Sequence, residues 1–157
     1  KENKLALCSA IAATASKELI QSRGHKIEGI QSFPIIVEDG IENIANTSKM
    51  VNVIDNLNIS QDVERLAKRK KRTGKVALRG RTSKIGKSVL FVVSNSEKIS
   101  KACSGIPGVD ACSTKNLSVL NLAPGGSLIR LTIFSKKAIE EIAQIKSTHL
   151  ELMVTLQ

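Results

Sequence analysis

Aromatic residues are almost missing from this chain, which has no Trp, no Tyr and only Phe33, Phe91 and Phe134. Proteins that read unpaired bases stack them on aromatic side chains, so recognition by such platforms is disfavoured from the outset. Cysteine is scarce too. Cys8, Cys103 and Cys112 are odd in number and never spaced C-x-x-C, which excludes a disulfide framework and a zinc knuckle and points to an intracellular chain. No apolar run approaches the roughly 18 residues of a bilayer-spanning helix. The longest candidates, Val89 to Val93 and the interrupted Leu128 to Phe134, are strand-sized, and a soluble protein is expected. The sequence starts at Lys1, and neither the charged n-region nor the apolar h-region of a secretory leader follows.

Acidic residues are absent from one long stretch. The 23 residues from Arg65 to Lys87 hold eleven cations and no Asp or Glu: Arg65, Lys68, Arg69, Lys70, Lys71, Arg72, Lys75, Arg79, Arg81, Lys84 and Lys87. The whole chain carries 24 Lys plus Arg against 14 Asp plus Glu, a net +10. Outside the stretch, 134 residues hold 13 basic and 14 acidic side chains, so the excess charge is local. Like charges at this density repel one another and cost stability unless something anionic neutralises them. Gly74, Gly80 and Gly86 let the backbone come close to a partner, and arginine forks suit phosphate oxygens. A membrane surface would need an apolar helix face opposite the cations, and only Val76, Ala77, Leu78 and Ile85 are available for one.

What remains is an ordinary globular composition. With 157 residues, 41% hydrophobic, and a mean hydropathy of −0.02, the chain can build a single core. Apolar spacing at Leu5, Cys8, Ala12, Ala15 and Leu19 predicts one helix from Asn3 to Arg23, stopped by Gly24. Ile35–Val37 reads as a buried parallel strand. Helices follow from about Ile41 to Leu57 and from Gln61 into Lys71, the latter capped by Ser60. Residues 72–88 read as an extended loop, and Val89–Ser94 as the clearest strand. A helix from Ser96-Glu97 to Gly105, a strand Val109–Ser113, a short helix Asn116–Leu122 and a turn at Ala123–Gly126 come next. Leu128–Phe134 is then a strand, and Ser135 caps a helix to Lys146. This alternation implies an α/β fold with a parallel sheet of about four strands. Period-two apolar positions at Leu150, Leu152, Val154 and Leu156 suggest an extended tail over 147–157.

Catalytic motifs are hard to assemble. Gly86-Lys87-Ser88 has the ending of a P-loop, but its earlier glycine is misplaced and a strand follows where a helix is required. No G-x-G-x-x-G occurs, and Gly125-Gly126 precedes a strand. His25 and His149, the only histidines, lie 124 residues apart, with no carboxylate spacing that advertises a metal site. Cys103 and Cys112 sit among core-like residues and read as small hydrophobes. The expectation is therefore a protein without enzymatic activity or cofactor, with no small-molecule substrate and no membrane partner.

Several strings then take on a pattern together: Lys1-Glu-Asn-Lys-Leu-Ala-Leu into Ser9-Ala-Ile-Ala-Ala-Thr14, Arg23-Gly24-His25, Gly74-Lys75 to Arg79-Gly80-Arg81, Ile106-Pro-Gly-Val-Asp110, and Leu122-Ala-Pro-Gly-Gly126 before Arg130-Leu-Thr-Ile133. In order and spacing they resemble the fourth protein of the large ribosomal subunit, in its archaeal and eukaryotic form, over roughly residues 1–146. The resemblance implies a three-layer α/β/α body forming one domain over 1–146, with a basic RNA-binding segment at 65–88. It also implies a structural role in large-subunit assembly and translation, cytoplasmic ribosomes as the location, and ribosomal RNA and other large-subunit proteins as partners. By position, the RNA contacts would be Lys1, Lys4, Arg23, His25, Arg69, Lys70, Lys71, Arg72, Lys75, Arg79, Arg81, Lys84, Lys87 and Arg130. The family's N-terminal strand and the loop that reaches the nascent-peptide tunnel would precede Lys1. Charge alone equally allows a non-ribosomal regulator that binds RNA or DNA.

Overall fold

The computed structural model describes residues 2–30, 32–66, 70–127 and 129–144. Four strands form its central sheet: β1 (Ile35–Val37), β4 (Leu90–Val93), β5 (Asp110–Ser113) and β6 (Thr132–Ser135). Their order is β1-β6-β4-β5, and every pairing is parallel, with Phe91 opposite both Ile133 and Ala111. All four residues of β4 and all four of β6 are buried. That is the environment continuous apolar runs require, because a parallel sheet is covered on both faces.

Alternation along β4 divides the core in two. Val89, Phe91 and Val93 face one apolar cluster together with Ile20, Met50, Ile54, Ile99, Ala102 and Cys103. These come from α2 (Lys17–Ser22), α3 (Thr47–Asn56) and α6 (Glu97–Ser104). Leu90 and Val92 face the other cluster, with Ala10, Leu122, Phe134 and Ala138 from α1 (Glu2–Ala13), α7 (Val119–Leu122), β6 and α8 (Lys136–Gln144). The fold is thus α/β with helices on both sides of a parallel sheet, as expected. Ser135 Oγ accepts from the Ala138 amide at 3.1 Å and starts α8 as a cap.

Several boundaries differ from the sequence expectation, each for a physical reason. The single helix over 3–23 is two helices, because α1 packs on one face of the sheet and Ile20 of α2 on the other. Thr14 makes the break by donating its hydroxyl to the Ile11 carbonyl at 2.6 Å. The helix expected from Ile41 is a 3-10 turn, Asp39–Asn43, followed by α3, which Asn46 caps by accepting from the Ser48 amide at 3.0 Å. Ser60 is the first residue of α4 (Ser60–Glu64) rather than its cap, and that helix stops well short of Lys71. The strand expected over 128–134 pairs only from Thr132, although the Leu131 carbonyl still accepts from the Leu90 amide at 2.9 Å. The tail expected over 147–157 lies outside the described residues.

Residues 72–88 are more ordered than a loop. β2 (Lys70–Lys71) and β3 (Ser83–Lys84) pair antiparallel, with α5 (Lys75–Leu78) between them. The Arg72 amide bonds the Thr82 carbonyl at 2.9 Å, and the Arg81 amide reaches back to Val76 at 3.2 Å. Gly80, at φ 78, supplies the left-handed turn that lets the chain return.

Candidate nucleic-acid interface

The β2–α5–β3 ribbon leaves the body after α4 and rejoins it at Ser88, the residue before Val89 and β4. It therefore springs from the amino-terminal edge of the sheet. Lys70, Lys71, Lys75, Arg79, Arg81 and Lys84 are exposed, and Arg72 is half-buried. Lys70 stands directly opposite Lys84 across the ribbon, an arrangement that like charges disfavour. Among the described residues no ion pair relieves any of these seven cations. Their mutual repulsion is thus left for an external anion to neutralise.

Beneath the ribbon lies a buried polar network that the sequence reading did not find. Asp62, fully buried in α4, accepts from His25 Nδ1 at 2.9 Å, the Lys26 amide at 3.0 Å, Arg65 Nε at 3.1 Å and the Ser88 hydroxyl. Burial works against its charge. The hydrogen bonds from His25 and Ser88, and the amide of Lys26, outweigh that and hold the carboxyl down at about 2. His25 Nε2 accepts from the Leu131 amide at 3.3 Å, which requires an unprotonated nitrogen there and sets the tautomer with hydrogen on Nδ1.

Arg130 is 1% exposed and completes the network. Its Nε donates to the Ser88 carbonyl at 2.7 Å, Nη2 to Val89 at 2.7 Å and Gly108 at 3.0 Å, and Nη1 to Asp110 Oδ2 at 2.8 Å. One guanidinium so ties together the amino ends of β4, β5 and β6. Burial lowers the Arg130 pKa, with Asp110 acting to restore it. Asp110 in turn is held below the usual carboxylate range, its burial being outweighed by Lys87 at 2.8 Å and by Arg130. Arg23, half-buried, donates to the Pro124 carbonyl at 3.1 Å. Its pKa is lowered by burial and by its neighbours Arg130 and Arg65.

Two glycines seat the ribbon. At Gly108, φ +77, an added Cβ would lie 2.5 Å from Leu66 Cδ1 and 2.8 Å from the Gly86 carbonyl oxygen, and at Gly86 it would lie 2.6 Å from Leu66 Cδ2. Leu66 thus fills the space that both side chains vacate. Gly108→Ala is expected to cost about 2–4 kcal/mol, combining left-handed strain with overpacking against backbone. A lower urea midpoint at unchanged slope would register it.

The contacts expected from the resemblance therefore fall into three groups. Lys70, Lys71, Arg72, Lys75, Arg79, Arg81 and Lys84 are gathered on the ribbon, with Lys87 exposed at its base and paired to Asp110. Lys4 is exposed on α1, which packs on the second apolar cluster, and Lys1 and Arg69 lie outside the described residues. Arg23 is half-buried and bonded to the Pro124 carbonyl, and His25 and Arg130 are buried, with the partners of their polar atoms in the body. Sequence signals for the network were slight. Asp62 precedes Arg65 at helical i,i+3 spacing, and Arg130 interrupts an apolar run, which a buried charge does only when paired.

The opposite edge of the sheet is where α/β folds place their ligands, at the switch point outside the strands' carboxyl ends. Here β4 leads into α6 on one face and β6 into α8 on the other, so the crevice lies between them. Glu42 reaches this edge from the β1 side, accepting from the Ser94 amide at 2.9 Å, the Ser135 hydroxyl at 3.1 Å and the Asn95 amide at 3.4 Å. Glu141 accepts from the hydroxyls of Ser94 and Thr114. Carboxylates thus engage the Ser94 and Asn95 amides and the hydroxyls of Ser94, Thr114 and Ser135 at this edge. Cys103 is fully buried, and that burial, with Asp110 nearby, pushes its thiol up to about 12, away from the thiolate form. Among the described residues no cluster of His, Cys, Asp and Glu could hold a metal ion, and no helix is long and apolar enough to cross a membrane.

Comparison with known proteins converges on one family. The model of the ribosomal protein L4/L1 family matches residues 1–145. The large ribosomal subunit protein uL4 of Thermoplasma acidophilum is 44% identical over 146 residues, covering 92% of this chain and 57% of that protein. Its counterpart in Sulfurisphaera tokodaii is 44% identical over 142 residues, covering 89% and 53%. That of Methanococcus aeolicus is 42% identical over 143 residues, covering 90% and 57%. The chain spans little more than half the length of these archaeal relatives. Matched along nearly all its own length, it belongs to the ribosomal protein L4/L1 family.

Proposed function

We propose that this chain is a non-catalytic structural component of the large ribosomal subunit that binds ribosomal RNA through the β2–α5–β3 ribbon. The observation that carries this reading is the set of seven ribbon cations with no ion-pair partner among the described residues, mounted on a body whose own charge is balanced. The relatives' names supply the ribosomal context. Lys1, Lys4, Arg69 and Lys87 extend the interface, while Arg23, His25 and Arg130 hold the surface beneath it in shape. Recognition is of backbone and RNA shape, since lysines and arginines grip phosphates and the ribbon has no aromatic residue for stacking. Cytoplasmic ribosomes and other large-subunit proteins are the surroundings this role requires.

The test is a salt titration of binding to deproteinised large-subunit ribosomal RNA. Replacing Arg79 and Arg81 together by Gln is expected to weaken binding and to reduce the log–log salt slope by about 1–2, the loss of two phosphate contacts. An unchanged slope would remove the ribbon from the interface. Co-sedimentation with the large subunit through a high-salt gradient checks the ribosomal part separately; release of the chain would speak against it.

A further inference from the structure

Charge does not account for the tip of the ribbon. Leu78 is 86% exposed and Val76 44% exposed, on a four-residue helix that begins with Lys75 and is followed by Arg79. Lys75 and Leu78 are i,i+3 neighbours on one turn. That turn is closed by bonds from the Leu78 amide to Gly74 at 3.2 Å, Arg79 to Lys75 at 3.1 Å and Arg81 to Val76 at 3.2 Å. The leucine is therefore presented on a formed turn, with cations beside it in sequence and in space.

Building on the reading of the ribbon as an RNA contact, we propose that Leu78, supported by Val76, is an apolar wedge that packs on the face of an unstacked nucleobase. Lys75 and Arg79 hold the phosphates on either side of it. Charge complementarity selects this occupant. Whatever covers Leu78 also meets Lys75, Arg79 and Arg81; a polyanion gains by that, whereas an apolar protein patch would have to desolvate unpaired cations. The chain has no Trp or Tyr, and its three Phe belong to the body: Phe91 and Phe134 are buried, and Phe33 packs on the first core cluster. With no aromatic platform on the ribbon, an aliphatic wedge is the device left for touching bases, as in proteins that insert Leu or Ile between base steps.

The wedge and the cations separate by their salt dependence, since apolar burial releases no counterions. Using the full chain and deproteinised large-subunit ribosomal RNA, Leu78→Ser is expected to weaken binding about tenfold at every salt concentration, leaving the slope intact. The exposed site makes loss of folding an unsuitable explanation for that result. Leu78→Trp creates the chain's only indole, and its emission is expected to change when the RNA binds. If Leu78→Ser binds like the parent and the indole emission is unmoved, the wedge is overturned and the knob faces a protein neighbour, while the Arg79/Arg81 slope still stands on its own. If the Arg79/Arg81 slope is unchanged, the ribbon reading falls and the wedge falls with it.

Discussion

Replacing Asp62 by alanine is expected to cost about 3–5 kcal/mol of stability, among the largest effects of any single change in this protein. The carboxylate is fully buried and receives four donors, from His25, Lys26, Arg65 and Ser88. Removing it strands the Ser88 hydroxyl and the Lys26 amide, and leaves the His25 Nδ1 hydrogen without its acceptor. It also takes away an acid that pairs with Arg65 and whose charge supports that of buried Arg130, beside Arg23, whose pKa burial and the charges of Arg130 and Arg65 already lower. Urea unfolding would show the midpoint falling sharply. A variant as stable as the parent would mean the network contributes nothing net, as buried ion pairs sometimes do when all members go together.

The same carboxylate predicts an acid dependence. Its pKa is depressed from an unfolded value near 3.8 to about 2 in the fold. A depressed carboxyl stabilises the fold fully above the unfolded value and loses that contribution as pH falls through the folded one. The stability gap between the parent and Asp62→Asn is therefore expected to be constant near neutrality and to narrow between about pH 4 and pH 2. Unfolding curves at pH 7, 4 and 3 measure it, and a gap that widens on acidification would reverse the assignment.

How much of this was legible beforehand depended on whether the signal was local. β4 was plain because Val89–Val93 is a continuous apolar run, and the cap of α8 was plain because Ser135 stands directly before an amphipathic stretch. The α1–α2 break was not, since helical spacing records that a residue is buried but not on which face of the sheet. The ribbon was visible as charge and invisible as structure: its ladder pairs Lys70 with Lys84, which no strand propensity favours. The network joins residues 37, 26 and 106 positions apart, His25 to Asp62, Asp62 to Ser88 and His25 to Leu131. Only tertiary packing brings such pairs together. So the local excess of positive charge could be read from the composition, but the foundation on which the ribbon stands could not.

Arg130 offers the sharpest test of that foundation, because resemblance makes it an RNA contact while its geometry makes it a brace. Its four bonds run to three backbone carbonyls and Asp110, so that each of its three nitrogens is engaged within the body. Arg130→Met would leave the carbonyls of Ser88, Val89 and Gly108 without this donor, at an expected cost of about 3–5 kcal/mol. Arg130→Lys keeps the charge but replaces a planar fork with a single ammonium, so it is expected to recover only part of that loss. A phosphate contact would behave the other way: lysine would substitute well, stability would barely move, and the salt slope of RNA binding would fall by about 1 when the charge is removed. Measured on folded protein at low temperature, the slope for Arg130→Met, which removes the charge, is expected to match the parent, with any loss of affinity uniform across salt. A reduced slope at parental stability would move Arg130 from the brace to the interface.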